Sequence, residues 1–303
     1  MGKLRRYNAY ISVSCSGPEE SSAIRSPIGT IRCRAGADLK YTTADADFLY
    51  KHFSKPHADT FPHDIHVRLV NPKRLDLLNA IESVSKNLNS FAGQKDWDGG
   101  CIHFIYAGHG QKDRGALVFQ DGAITPEDFL RQVAAHRNPG DHRRRVDVVL
   151  DSCFSGAFVT TLLVDARKNY SDSIFPCSLF SAALHDEYAW EYPRYGHGIW
   201  TAAFSQQLKG PNLNTNRICL ILQVLWRRAI HAEPKELYNG GVSYMTENKQ
   251  HSFSYENGFF QVDGAGSFDL PDLESIDVVE LQRMLSNARG SQKNTKSRFA
   301  EAR

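Results

Sequence analysis

Short apolar runs alternate with segments of helical periodicity along most of the chain, the pattern of a mostly parallel sheet covered by helices on both faces. Ala9-Tyr-Ile-Ser-Val13 reads as a first strand, and Asp64 to Val70 alternates as a second. Between them, Thr42 or Thr43 is expected to cap a helix that carries Phe48, Leu49 and Phe53 on one side. Leu75, Leu78, Ile81, Val84, Leu88 and Phe91 recur every three or four residues, so 73–91 is expected to form an amphipathic helix with that stripe buried. Thr125-Pro-Glu-Asp128 marks another helix start: a capping hydroxyl, proline at the first helical position, then acids over the positive end of the dipole.

Cys101-Ile-His-Phe-Ile-Tyr-Ala107 and Val146-Asp-Val-Val-Leu150 are apolar almost throughout, as strands covered on both faces should be. The first runs into Gly108-His109-Gly110 and the second into Asp151-Ser152-Cys153-Phe154-Ser155-Gly156. An open parallel sheet places its ligand crevice at such strand ends. Cys177 to Ala183 reads as a further strand, Ile199, Trp200, Ala203, Phe204 and Leu208 as a helix face, and Ile218 to Ile230 as a buried helix. Beyond Phe268, Ile276, Val279, Met284 and Leu285 suggest one short helix before a basic tail. The expected organisation is an α/β domain over 1–268, interrupted by a Ser-, Gly- and Pro-rich surface insertion over 14–37. A C-terminal helix and flexible basic tail follow over 269–303.

The 36 Lys+Arg of this 303-residue chain nearly balance its 34 Asp+Glu, so no strong net field recruits nucleic acid or acidic membrane. No apolar run approaches the length of a bilayer-spanning helix, and Arg6 stands where a myristoylation motif at Gly2 wants Ser or Thr. The 6 cysteines are too widely spaced for a C-x-x-C motif, which excludes a zinc ribbon and points to a cytoplasmic protein with reduced thiols. No cofactor is expected. No ordered D-x-D-x-D-G run is present, and a calcium requirement is left open.

Cys153 and His109 therefore stand at the mouths of two buried strands. A thiol nucleophile needs a partner that exchanges protons near neutral pH, which imidazole does. Gly108, Gly110 and Gly156 let the backbone bend and let a carbonyl approach main-chain N–H groups. Taken singly, Cys153 fits a small buried hydrophobe equally well. His197, also between glycines, is the competing imidazole, but no long apolar run precedes it. Ser152 and Ser155 lack the glycine that a G-x-S-x-G elbow needs two residues before its nucleophile. Cys101 and His103 share one strand face and offer two metal ligands without a third placed by spacing, so a packed core pair is expected there. Arg143-Arg-Arg145 reads as a solvated loop rather than a nucleic-acid patch.

Tyr106-Ala-Gly-His-Gly110 and Asp151-Ser-Cys-Phe-Ser-Gly156 resemble the histidine and cysteine blocks of the caspase-like cysteine peptidases, in particular the metacaspase and prokaryotic caspase-homologue branches. Leu39-Lys-Tyr-Thr-Thr-Ala-Asp-Ala46 upstream, and Ser178 to Ala183, Ala189-Trp-Glu191 and Gly196-His-Gly-Ile-Trp-Thr201 downstream, extend the similarity over about residues 7–262. The resemblance implies a caspase-like three-layer sandwich. It also implies a cysteine endopeptidase in which Cys153 attacks the peptide carbonyl, His109 moves the protons, and the N–H groups of Gly110 and Cys153 hold the oxyanion. Carboxylates matching Asp45 and Asp151 read the residue before the scissile bond in basic-specific branches, so cleavage after Arg or Lys is implied.

Two positions depart from the metacaspase pattern. Ala107 stands where Ser is usual and Thr42 where Cys is common. Outside the pocket context, Asp45 reads as a solvated first-turn acid and Asp151 as a helix cap. Glu187 and Glu191 are candidates for the wall of a groove that binds substrate as an added strand. Arg167 and Lys168, in the segment after the nucleophile, are candidate self-processing sites. The implied partners are a protein substrate and a regulatory protein, with no nucleic acid and no membrane. The alternative is a catalytically inactive caspase-like scaffold that binds a protein partner; retention of His109 and Cys153 counts against it.

Overall fold

The computed structural model describes residues 7–17, 24–26, 29–31, 39–54, 64–94, 97, 99–112, 115–138, 142–207, 250–256, 259–262, 266–269 and 276–290. In chain order its elements are β1 (Asn8–Cys15), β2 (Ile24–Ser26), β3 (Gly29–Ile31), α1 (Thr42–Phe53), β4 (Ile65–Val70), α2 (Arg74–Asn89) and β5 (Cys101–Gly108). Then come β6 (Leu117–Phe119), β7 (Gly122–Ile124), α3 (Pro126–Ala135), β8 (Arg144–Ser152), α4 (Ser155–Asn169) and β9 (Ile174–Ser181). The series ends with β10 (Glu191–Tyr192), β11 (His197–Gly198), α5 (Ile199–Gln207), β12 (Phe253–Glu256), β13 (Phe259–Val262), β14 (Gly266–Asp269) and α6 (Val278–Gly290).

Eight strands form one sheet in the order β14-β13-β12-β9-β8-β5-β1-β4. β4, β1, β5, β8 and β9 run parallel, while β12 turns back against β9 and leads an antiparallel extension. Alternate side chains of β5 and β8 enter two separate cores. Phe104, Val146 and Val148 pack with Leu77, Phe129, Phe158 and Leu281 of α2, α3, α4 and α6. Ile105 and Val149 pack with Leu49, Trp200 and Phe204 of α1 and α5. This is the expected three-layer α/β sandwich, and it puts the ends of β5 and β8 at its centre.

β4, at the edge, alternates half-buried Ile65, Val67 and Leu69 with exposed positions, as its sequence predicts. α3 begins as expected: Thr125 accepts the Asp128 N–H at 3.1 Å, and the Asp128 carboxylate takes the Thr125 N–H in return.

Four local expectations are corrected. Thr42 opens α1 from inside the helix, with Tyr41 at the cap position and no side-chain cap bond. In α2 the buried stripe is Leu77, Ile81, Val84 and Leu88, whereas Leu75, in the first turn, is 61% exposed. Leu75 stands two residues before Leu77, about 160° away round the helix, so it faces away from the buried stripe although its own turn is covered. In α6, Leu281 and Leu285 join the core while Val279 is 73% exposed. Asp165 to Lys168 is the end of α4 rather than a loop. Arg167 is held there by the Tyr255 hydroxyl at 3.2 Å and by the Phe175 ring.

The 14–37 stretch begins with Ser14 and Cys15, which are the buried end of β1, and contains the β2–β3 hairpin. α6 packs against α4, with Gln282 Nε2 donating to Thr160 Oγ1 at 3.1 Å. The expected helix at 218–230, Leu208 and the tail from 291 lie outside the described residues. No described helix is long and apolar enough to cross a membrane.

Candidate active site

Gly108 and Ser152 are register partners at the ends of β5 and β8, so His109 and Cys153 leave from neighbouring strand tips. The two turns touch. A Cβ placed on Gly110 would come within 1.9 Å of the Cys153 carbonyl oxygen, so only glycine allows the histidine turn to lie against the cysteine turn. The His109 carbonyl accepts both the Tyr106 hydroxyl, at 2.9 Å, and the Val118 N–H, at 3.0 Å, which pins that turn.

On the other side, Phe154 adopts φ +54° at the start of α4. A bulky residue rarely takes this left-handed conformation, and such strain collects at functional turns. The Phe154 N–H bonds to the Glu187 carbonyl at 2.8 Å, and its ring meets Tyr188 edge-on. The Cys153 Sγ lies 3.6 Å from the Ala189 carbonyl oxygen.

Cys153 lines a small pocket, opening to solvent, whose other walls include Asp45, Asp151, Glu191, Trp190, Ser152 and Gly198. All three acids are buried. Asp45, in the first turn of α1, accepts His197 Nδ1 at 2.7 Å and the Gly198 N–H at 2.9 Å. Asp151, next to the last residue of β8, accepts the Thr201 hydroxyl at 2.5 Å. Glu191 accepts the N–H groups of Lys40 and Tyr41, each at 2.9 Å.

Burial raises the proton affinity of all three. The Asp151 carboxyl is pushed up to about 8, by loss of water and then by the neighbouring Asp45. Glu191 is pushed up to about 7 by burial, against the pull of its two backbone donors. Asp45 is raised by burial, with His197 and Gly198 opposing. The Asp45 hydrogen bond in turn raises the His197 imidazole. Ser152 Oγ and Trp190 Nε1 are buried and have no hydrogen-bond partner among the described residues. Such orphaned polar atoms in a pocket wall mark where a ligand's polar groups belong.

Cys153, Asp45 and Asp151 thus face one pocket, with Gly110 beside Cys153. His197 binds Asp45, which gives it a place in the acid cluster. Asp151 belongs to a strand and caps no helix. Thr201 went unnoticed as a partner of Asp151, although it lies in the Gly196 to Thr201 block. Glu191 lines the pocket as one of the two groove candidates. Glu187 does not: its carboxylate is buried against His251, accepting Nδ1 and the backbone N–H at 2.7 Å each. No sequence spacing links residues 187 and 251.

No family model matches the chain, and no curated protein is similar to it in sequence. Among solved structures, it is similar to protein GSU0716 from Geobacter sulfurreducens, with 15% identity, 77% of this chain and 91% of that chain covered, and a TM-score of 0.46. It is also similar to caspase-1 from Spodoptera frugiperda, with 14% identity, 84% and 87% covered, and a TM-score of 0.47.

Proposed function

We propose that this protein is a cysteine endopeptidase that cuts polypeptides after Arg or Lys, of the metacaspase-like kind that its sequence blocks resemble. One observation carries the reading: Cys153 opens onto a pocket walled by three buried carboxylates. A guanidinium entering it meets Asp151 and Asp45 and converts costly buried acids into charge-assisted pairs. An acidic side chain would be repelled.

In this reading His109 takes the thiol proton of Cys153, the sulfur attacks the carbonyl carbon, and the N–H groups of Gly110 and Cys153 bind the oxygen as it becomes negative. His109 donates a proton to the departing amine, the C–N bond breaks, and an acyl-enzyme remains. His109 then takes a proton from water, whose oxygen attacks the thioester and releases acid and thiol.

Self-processing at Arg167 or Lys168 needs an extended substrate strand, so the last turn of α4 must first unwind. Cleavage there is expected to be slow and to vanish in Cys153→Ala, as mass spectrometry of both proteins will show. The direct test of activity is a fluorogenic peptide ending in Arg, beside Lys- and Asp-ending versions, with Cys153→Ala as control. Turnover of the Asp peptide alone overturns the pocket assignment. Absence of any turnover favours the binding scaffold.

A further inference from the structure

Cys101 and His103 stand two apart on β5 and share a sheet face, and parallel pairing sets Asp147 of β8 directly beside His103. The third ligand that sequence spacing could not supply comes from the neighbouring strand. Cys101 Sγ lies 3.6 Å from Asp147 Oδ2, and His103 Nδ1 lies 2.9 Å from the same oxygen. All three donors fall within 4.8 Å of one another, the one such group of three among the described residues.

The surroundings aim these donors. Tyr10 stacks on the His103 ring at 4.5 Å and fixes its plane. Asn8 Nδ2 donates to Asp64 Oδ1 at 3.3 Å, which turns Asn8 Oδ1 towards His103 Nε2, also at 3.3 Å. A carbonyl oxygen only accepts, so Nε2 carries the hydrogen. Nδ1 and the Cys101 sulfur both reach the same Asp147 oxygen at hydrogen-bonding distance, through protons that a divalent cation can displace. The other Asp147 oxygen accepts the Ser178 N–H at 3.0 Å. That bond exists because β9 is bulged here: the register steps from Val146–Pro176 to Val148–Leu179, so Cys177 and Ser178 together oppose Asp147.

We propose that Cys101, His103 and Asp147 bind a divalent transition-metal cation of the zinc class, with water as fourth ligand. Tetrahedral zinc holds such donors about 3.3–3.8 Å apart, so the sulfur–oxygen spacing already fits and the nitrogen–oxygen pair must open by about half an ångström. Thiol and imidazole exclude calcium and magnesium, which select oxygen. Asn8 and Ser178 supply the outer hydrogen bonds that orient ligating histidine and carboxylate. Asp147 lies five strand positions from Ser152, about 16 Å along β8, so the ion clamps β5 to β8 away from the thiol of Cys153.

The test is a cobalt(II) titration of the full chain carrying Cys153→Ala, which removes the proposed nucleophile as a competing ligand. Saturation at one equivalent with a thiolate-to-cobalt charge-transfer band, displaced by zinc, is expected. Cys101→Ser, His103→Gln and Asp147→Asn should each weaken binding about 10–100-fold. Circular dichroism confirms which of them are folded, and any folded one decides. Unchanged affinity in a folded variant, or no saturable binding to Cys153→Ala, overturns the proposal.

Discussion

β5 and β8 carry acids, imidazole and thiol near both ends, and the ends differ in spacing more than in chemistry. At the C-terminal tips, Asp45, Asp151 and Glu191 line one pocket beside Cys153. Each is held by its own donors: His197 and Gly198, Thr201, and the backbone of Lys40 and Tyr41. At the other end, three donors converge within 4.8 Å. The first arrangement gives each carboxylate its own donors and its own place in the pocket wall; the second gathers three donors around one point. Separation of the donors decides which cation each end suits.

The largest expected effect separates the thiols. Cys153→Ala or His109→Ala should lower kcat/KM on an Arg peptide by at least about 10³-fold, the scale of removing a nucleophile or its base. Zinc-class binding by Cys153→Ala should persist. A Cys153→Ala protein that still cleaves would show that the nucleophile had been misassigned, whatever the metal titration gives.

Asp151→Asn comes next. It removes the carboxylate that Thr201 orients and leaves Asp45 to meet the guanidinium, a loss of about 3–5 kcal/mol for a broken buried pair. Steady-state kinetics should show that loss as a fall of about 10²–10⁴ in kcat/KM for Arg peptides. The proposal that the pocket reads charge does not survive an Asp151→Asn enzyme with unchanged Arg preference.

The spread-out acids also set a pH dependence. With Asp151 pushed up to about 8, this carboxyl is largely protonated at neutral pH when the pocket is empty, and a guanidinium binds its ionised form. Affinity of Cys153→Ala for an Arg peptide should fall as pH drops below about 8, approaching tenfold per unit, measured by calorimetry. Folding stability runs the other way. Asp151 and Glu191 bind protons more tightly folded than unfolded, so stability is greatest below the unfolded carboxylate range. It declines as pH rises towards 8. Thermal melts should show Tm falling from pH 5 to 8 and recovering when an Arg peptide is added.

What the sequence made legible follows from the range of the forces involved. Strand tips, the two turn blocks and the α3 cap depend on residues close in the chain, and they were readable. Thr201 on Asp151, His251 on Glu187 and Asp147 beside His103 join residues 44 to 64 positions apart, through pairings that no local period encodes. The exposed Leu75 and Val279 fail for a related reason: each lies two residues before a buried leucine, on the opposite side of its helix, and only the packing partner shows which apolar positions make up the covered face.

The smallest expected effect comes from adding a donor where the resemblance has one and this chain has none. Ala107 is fully buried and is the register partner of Asp151 on the adjacent strand, so the two side chains point to the same face. Ala107→Ser adds one oxygen, a volume change that a packed interior accommodates at small cost. A hydroxyl directed at Asp151 favours its ionised form, as the Thr201 hydroxyl already does. Burial still dominates, so the midpoint of Arg-peptide binding should move to lower pH by a fraction of a unit, with neutral-pH affinity rising at most about threefold. A shift to higher pH would mean that the serine donates elsewhere, and that these acids are set by desolvation without help from their neighbours.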